Sequence, residues 1–264
     1  MSSVANSLKE MEIYKNELTE YVEQLRQRSG DKMLVDFANM RSFSIDTVKE
    51  AGIFYIGDAT EMLLPSYIDK VEKFGVISPT NKKPIFHDRF VIPILDTDGK
   101  VLNLVGYSKN ANERYVYGTA QYYRRRETMY GLENLEMAYD LGYAILTEGI
   151  TDAIRMRDLG YKNTFANCGT HNSEFIIKQL NRCRHGVIKI PDRDEAGNRA
   201  NKKWKCHRSV TLNTFIAYKD IDAMCASSQE NAEIVKEYVD NCIEWLITAE
   251  HNGFNSNNEI VTIN

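Results

Sequence analysis

Six carboxylates stand in three pairs along one stretch of this sequence: Glu148 with Asp152, Asp192 with Asp194, and Asp220 with Asp222. Like charges crowded together repel unless a cation sits between them. Oxygen-only donors of this kind suit Mg²⁺ or Mn²⁺. Such ions can hold the attacking and leaving oxygens of a phosphoryl transfer. A single Asp-x-Asp is a weak signal, because Asp is common in turns that follow strands. Three acidic pairs at corresponding ends of consecutive strands form a much stronger one.

The elements around them supply that correspondence. YAILTE (143–148), NTFAN (163–167), GVIKIP (186–191) and SVTLNTFIAY (209–218) read as short buried strands. TDAIRMRDLGY (151–161), SEFIIKQLNRC (173–183) and DEAGNRANKKWKCHR (194–208) read as the helices between them. Strand and helix alternating with short links predict a parallel sheet with covering helices. In such sheets the site lies at the carboxyl ends of the strands. Glu148, Asp192 and Asp220 each follow one of these strands. Residues i and i+2 on extended chain share a face, so each Asp-x-Asp is expected to point together. A helix over 228–250 and a loose tail over 251–264 complete the chain.

The first half has a different texture. Leu8, Met11, Tyr14, Leu18, Tyr21, Val22 and Leu25 recur at helical steps, predicting one helix over 5–28 with Gly30 as its stop. Residues 31–40 and 45–51 read as short helices, the second capped by Ser44 and ended by Gly52. Leu64 to Phe74 reads as another. HDRFVIPILD (87–96) and VLNLVGYSK (101–109), joined through Asp98-Gly99, predict a β-hairpin. Residues 110–126 are polar and aromatic and, together with Lys109, concentrate cations: Arg114, Arg124, Arg125 and Arg126, interleaved with Tyr115, Tyr117, Tyr122 and Tyr123. Arginine forks fit phosphates and tyrosine faces stack on unpaired bases, so the stretch reads either as a nucleic-acid track or as a solvated loop with snorkelling side chains. Lys202, Lys203 and Lys205 read as plain solvent charge on a helix.

TEGITDA (147–153), PDRDEAGNRA (191–200) and KDIDAM (219–224) resemble the three acidic motifs of the Toprim fold. Bacterial primases, topoisomerases, some nucleases and recombination mediators share that fold. HDRFVIPILDTDGKVLNLVGYSK (87–109), ERYVYG (113–118) and MYGLENL (129–135) resemble, in the same order, the segment preceding Toprim in DnaG-type primases. NCGTHNSEF (167–175) resembles that family's loop between its first two acidic motifs, and FANMRSFSIDTVKEAGI (37–53) its helical lead-in. The sequence departs from the family in places. Arg193 and Ile221 stand where a small or apolar residue and a Pro are usual, and Tyr107 replaces an Arg. Arg114-Tyr115 takes the place of a Lys-Tyr pair.

The resemblance implies an α/β fold: a Toprim-type parallel sheet flanked by helices, preceded by a mixed α+β N-terminal subdomain and followed by a short helical tail. The implied boundaries are 1–136, 137–223 and 224–264. It implies a DNA primase core making short RNA by nucleotidyl transfer, with Glu148, Asp192 and Asp194 catalytic. All six carboxylates would hold Mg²⁺ or Mn²⁺. Arg89, Lys109, Arg114, Tyr115, Arg124, Arg125 and Arg126 would hold the single-stranded DNA template and ribonucleoside triphosphates. A replicative helicase, or a separate zinc-ribbon protein, is the expected further partner. The chain would be a stand-alone core of phage or mobile-element origin, or a piece that works with other chains. A Toprim nuclease, or a non-catalytic Toprim subunit of a replication complex, would share the acidic motifs. The hairpin-to-Arg segment is what favours the primase.

Composition excludes other classes. The 264 residues carry 33 Lys and Arg against 37 Asp and Glu, so this is not a basic DNA-coating protein. No apolar run approaches the length of a membrane span, and the opening residues lack a signal-peptide layout, so a cytoplasmic chain without membrane contact is expected. The five cysteines form no Cys-x-x-Cys. Cys183, His185, Cys206 and His207 fit no common zinc spacing, so no zinc is expected.

Overall fold

The computed structural model describes residues 2–168, 173–214, 216–251 and 257–263. The Gly169-Thr170 turn and His171 of the motif-linking loop lie outside them. The chain divides into two compact units, Met1–Tyr123 and Arg124–Asn264.

The first unit begins with α1 (Ser2–Arg28), α2 (Asp31–Arg41) and α3 (Ile45–Glu50). From Tyr14 to Leu25 the apolar stripe of α1 is buried, but Leu8 is 57% exposed, so the stripe extends beyond the packed face. Gly30 is the N-cap of α2, with ordinary extended angles. The Ser44 hydroxyl caps α3 by accepting from the Thr47 amide. Gly52 follows α3 at φ +68°, the left-handed turn that favours glycine. Leu64, Tyr67, Val71 and Phe74 are all buried, as helical spacing implies, but their segment is a short 3₁₀ turn (Pro65–Tyr67) followed by irregular turns. Pro65 has no amide to donate and opens that turn at its first position.

Four strands form an antiparallel sheet in the order β1 (Phe54–Ile56), β2 (Arg89–Leu95), β3 (Val101–Tyr107) and β4 (Tyr115–Tyr117). The expected hairpin is β2 and β3, closed by Asp96, whose Oδ1 accepts from the amides of Asp98 and Lys100. Gly99 at φ +74° completes the turn. The polar and aromatic stretch contains the third strand of the meander, β4, at the edge of the sheet, paired with β3 from Tyr107–Tyr115 to Val105–Tyr117.

In the second unit β5 (Met129–Tyr130) and α4 (Leu135–Leu141) precede the alternating run. That run is β6 (Tyr143–Thr147), α5 (Ile150–Asp158), β7 (Thr164–Asn167), α6 (Ser173–Leu180), β8 (Gly186–Ile190), α7 (Glu195–Lys203) and β9 (Ser209–Asn213). It is followed by α8 (Ile221–Ser227), α9 (Gln229–His251) and β10 (Asn257–Thr262). The sheet order is β10-β9-β8-β6-β7-β5, parallel throughout except for β5. The division of units falls at Arg124 because β5 pairs with β7 and so joins this sheet. Ile145, Ile188, Ile190, Val210 and Leu212 face Met224, Val235, Val239 and Leu246 of α8 and α9 in one buried cluster. That face removes several large side chains from water, each contributing on the order of 2 kcal/mol.

Two expectations are corrected. The tail is not loose over its whole length: Asn257–Thr262 adds a parallel edge strand to β9, so the chain does not end in a purely helical appendage. The strand expected over 209–218 stops at Asn213, and α8 begins at Ile221. The cause is local. Asp220 caps α8 by accepting from the Ala223 amide at 2.7 Å, so the second Asp-x-Asp is half cap and half helix. No helix among the described residues is long and apolar enough to cross a membrane.

Candidate active site

Glu148, Asp192 and Asp220 follow the carboxyl ends of β6, β8 and β9, which are adjacent in the order β9-β8-β6. The sequence-derived placement is therefore correct for the leading member of each pair. The second members divide. Asp194 is the N-cap of α7 and its Oδ1 accepts from the Gly197 amide at 2.8 Å. That turn needs glycine for space: a Cβ on Gly197 would stand 2.0 Å from the Asp192 carbonyl oxygen. Glycine thus lets the first turn of α7 close onto Asp192, and the two carboxylates stay together.

Lys219 joins them. Its Nζ lies 3.4 Å from Asp192 Oδ2 and 3.3 Å from Asp194 Oδ2, with the side chain 62% exposed. The backbone keeps this register, since the Arg193 amide donates to the Lys219 carbonyl at 2.7 Å. Arg193, the departure from the family pattern, also donates from Nη1 to the Thr214 carbonyl at 2.8 Å. It fastens the loop after β8 to the loop after β9. Ile221, the other departure, occupies the first position of α8, where Pro would fit equally, and is buried in the core cluster.

The electrostatics follow from this crowding. Burial holds the Glu148 carboxyl above its usual range, and the charges of Asp192 and Asp194 push it the same way. Asp192 is also raised, by burial first, against the pull of Lys219. Asp194 is lowered, chiefly by the Gly197 amide. Burial acts to lower Lys219, but the carboxylates of Asp192 and Asp194 outweigh it and hold the ammonium above its ordinary value. Glu148 Oε2 is buried and accepts no hydrogen bond.

Asp152 and Asp222 go elsewhere. They are 6% and 3% exposed. Arg155 Nε donates to Asp222 Oδ1 at 3.0 Å, and its Nη1 to Asp158 Oδ2 at 3.0 Å. Asp152 Oδ1 accepts from the Asp222 amide at 3.2 Å. Asp152 Oδ2 lies so near Gly149 that a Cβ there would stand 2.4 Å from it. This carboxylate braces the turn carrying Glu148 against the start of α8. The expectation that Asp220 and Asp222 point together fails because they stand at the cap and in the first turn of a helix, not on extended chain.

Among the described residues, no three His, Cys, Asp or Glu side chains already converge closely enough to hold an ion. The donor set nevertheless fits a divalent cation. It is all oxygen, it includes a buried carboxylate oxygen without a partner, and a lysine ammonium lies between two of its members.

The residues expected to contact nucleic acid also divide, with Arg89, Lys109, Arg114 and Tyr115 in the first unit and Arg124, Arg125 and Arg126 in the second. Lys109 and Arg114 are exposed. Arg89 is 9% exposed, and its Nη1 donates to the carbonyls of Glu113 and Arg114, so it shapes the entry to β4. The Tyr115 ring packs 5.2 Å from Tyr107. Arg124, Arg125 and Arg126 are all exposed, and Arg125 Nε donates to the Cys168 carbonyl. Tyr122 packs edge-on against Tyr14, half-buried, and not as an open stacking face. The sequence reading passed over Arg41, whose Nη1 donates to the Tyr107 hydroxyl at 3.2 Å and whose guanidinium stands 5.5 Å from that ring. It also passed over Lys219 and Arg155. Their signals were present: Lys219 directly precedes Asp220, and Arg155 stands three residues from both Asp152 and Asp158.

A family model described as Toprim-like matches residues 145–225. The DNA primase of Synechocystis sp. is 25% identical over 251 residues, covering 86% of this chain and 40% of that one. The DNA primase of Thermotoga maritima is 23% identical over 240 residues, covering 85% of this chain and 42% of that one. The chain thus spans about two-fifths of the length of these relatives. Among solved structures, a DnaG primase catalytic domain bound to ssDNA matches with a TM-score of 0.70 at 16% identity, over 90% of this chain and 83% of that one. A DNA primase domain from Pseudomonas aeruginosa matches with a TM-score of 0.67 at 20% identity, over 81% and 75%. The fold is that of the DnaG-type primase catalytic core, with the Toprim-like match within its second unit.

Proposed function

We propose that this chain is the catalytic core of a DNA primase, making short RNA on single-stranded DNA by Mg²⁺-dependent nucleotidyl transfer. The reading rests above all on Glu148, Asp192 and Asp220 at the carboxyl ends of neighbouring strands, in a chain similar over most of its length to DNA primases. Glu148, Asp192, Asp194 and Asp220 would hold Mg²⁺, or Mn²⁺. Bound there, a divalent ion acidifies a primer 3′-hydroxyl and neutralises charge on the triphosphate.

The protein's own groups do the rest. Asp194, lowered by its helix cap, stays ionised at neutral pH and keeps negative charge at the mouth of the site. Burial raises both Glu148 and Asp192, and Glu148, whose buried Oε2 has no partner among the described residues, is the carboxylate proposed to take a proton as the hydroxyl attacks. Lys219 balances Asp192 and Asp194 in the free protein and can turn to the incoming triphosphate. Asp152 and Asp222 act through position, with Arg155, and not as ligands. Lys109, Arg114, Arg124 and Arg126 would contact phosphates, with Tyr115 available for base stacking. Arg89 and Arg125 would act chiefly by holding the backbone of that stretch. Single-stranded DNA, ribonucleoside triphosphates and a replicative helicase or separate zinc-ribbon protein are the proposed partners, in a bacterial or phage-infected cytoplasm.

The test is product analysis on unprimed single-stranded DNA with labelled ribonucleotides and Mg²⁺ or Mn²⁺. New short RNA, lost in Asp194→Ala while the fold is retained, is the expected result. Template cleavage without RNA would replace the primase with a nuclease. An intact template and no RNA, even with a replicative helicase added, would leave a binding subunit.

A further inference from the structure

A second polar cavity lies on the Toprim-like sheet, away from the acidic loops. Ile188 and Ile190 of β8 enter the core cluster with α8 and α9. Lys189 between them therefore points to the opposite face. A cavity of about 430 Å³ opens there, lined by Lys189, Asn201, Lys202, Trp204, Lys205 and Thr211, with Ile260 of the edge strand. That volume is within the range of roughly 300–1,000 Å³ usual for small-molecule sites.

The lining is rich in donors and contains no Asp or Glu. Lys189 is 2% exposed in mid-strand, and burial lowers its ammonium below the ordinary lysine range, a penalty that an anion in the cavity would offset. Trp204 is 1% exposed, and its indole Nε1–H is buried and donates to no acceptor in the described structure. The Thr211 hydroxyl lies 3.4 Å from Asn201 Oδ1 and donates to it, which orients the amide. Lys202 and Lys205 are exposed at the rim.

Among the described residues, the carbonyls beside the cavity are already occupied and its thiol is neutral. The Ala200 and Asn201 carbonyls accept from the Trp204 amide, the Lys203 carbonyl from Lys205, and the Trp204 carbonyl from Cys206. Cys206, the thiol beside Lys189, is pushed up to about 11 by burial and stays neutral at physiological pH.

We propose that this cavity binds a phosphate group, with Lys189 as the buried counter-charge, Trp204 Nε1–H as the directional donor, and Lys202 and Lys205 guarding the mouth. The same chemistry would admit inorganic phosphate or the phosphate of a nucleotide. The site is separate from the acidic cluster and needs no metal ion, so it stands or falls independently of the primase reading.

The sequence holds two tryptophans, Trp204 and Trp245. Trp245→Phe leaves Trp204 as the sole reporter. That full-length protein, in EDTA, is titrated separately with inorganic phosphate, AMP and adenosine at ionic strength fixed with KCl. Emission and thermal midpoint are read together. Saturable binding of phosphate or AMP, with Kd below about 10 mM and no response to adenosine, is expected. Lys189→Met and Asn201→Asp should each weaken it at least roughly tenfold, by removing the cation or adding a repelling carboxylate. Circular dichroism checks that each variant is folded, and Asn201→Asp, near the rim, decides if Lys189→Met is not. AMP binding tighter than phosphate identifies a nucleotide phosphate, and equal binding identifies the inorganic ion. No saturable response to either, or binding undiminished in the folded variants, overturns the proposal.

Discussion

Two acidic groups with nearly the same composition lie in one unit of this protein, and their surroundings give them opposite character. Asp192 and Asp194 share a lysine that is 62% exposed, and Glu148 beside them keeps a buried oxygen without a partner. Asp222 and Asp158 share Arg155, whose side chain is 4% exposed, and Asp152 accepts a buried backbone amide. The first group is held by a solvent-exposed cation, which the metal ion proposed for this site would replace. The second is fixed by a planar cation out of reach of water, where a lost partner leaves an uncompensated buried charge. Charge alone does not make a metal site. What matters is whether the counter-charge can leave.

The largest expected effect tests that contrast through stability. Asp222→Ala should cost about 3 kcal/mol in urea unfolding, because it removes one of the two buried carboxylates that balance Arg155 and leaves Asp158 as the other. Asp194→Ala should cost only about 1 kcal/mol, the value of a lost helix cap, while removing synthesis. Equal costs for the two would break the comparison.

Next comes Lys219→Met. It removes the competing cation from Asp192 and Asp194 and should raise Mg²⁺ affinity roughly three- to tenfold by calorimetry. Weaker binding would mean that the lysine supports the ion and does not compete with it.

The pH dependence sharpens the same point. Mg²⁺ binds the ionised carboxylates, and Glu148 and Asp192 hold their protons to higher pH than ordinary carboxyls do. Affinity should therefore fall on acidification, and the fall should begin above the ordinary glutamate value of 4.5. Glu148→Gln should flatten that part of the curve. An affinity unchanged between about pH 7 and pH 5 would contradict the raised values.

The smallest effect belongs to Arg193→Ala. Losing the hydrogen bond to the Thr214 carbonyl should cost roughly 1 kcal/mol and weaken Mg²⁺ binding only modestly.

Much of this was legible in the sequence. Alternating apolar strands and amphipathic helices put β6, β8 and β9 into one parallel sheet with their carboxyl ends at a common edge, while their adjacency in the order β9-β8-β6 is a finding of the structure. Turn residues announce themselves chemically, as Ser44, Gly52 and Asp98-Gly99 do. The acidic residue following each strand could therefore be assigned to one edge before any coordinates existed.

What spacing could not decide was the direction of the second carboxylate in each pair. Asp194 and Asp222 each stand two residues beyond another Asp. One caps a helix at its solvated end, and the other is carried into the first turn of a helix whose neighbour supplies a buried arginine. Likewise the parallel pairing of Asn257–Thr262 with β9 depends on an edge left open by strands far earlier in the chain. The sequence by itself determined which residues form the strands and which acids follow them, since those follow from local periodicity and turn chemistry. Only the tertiary structure decided which acids face a displaceable cation and which are sealed against a permanent one, because that depends on which distant side chain shares their burial.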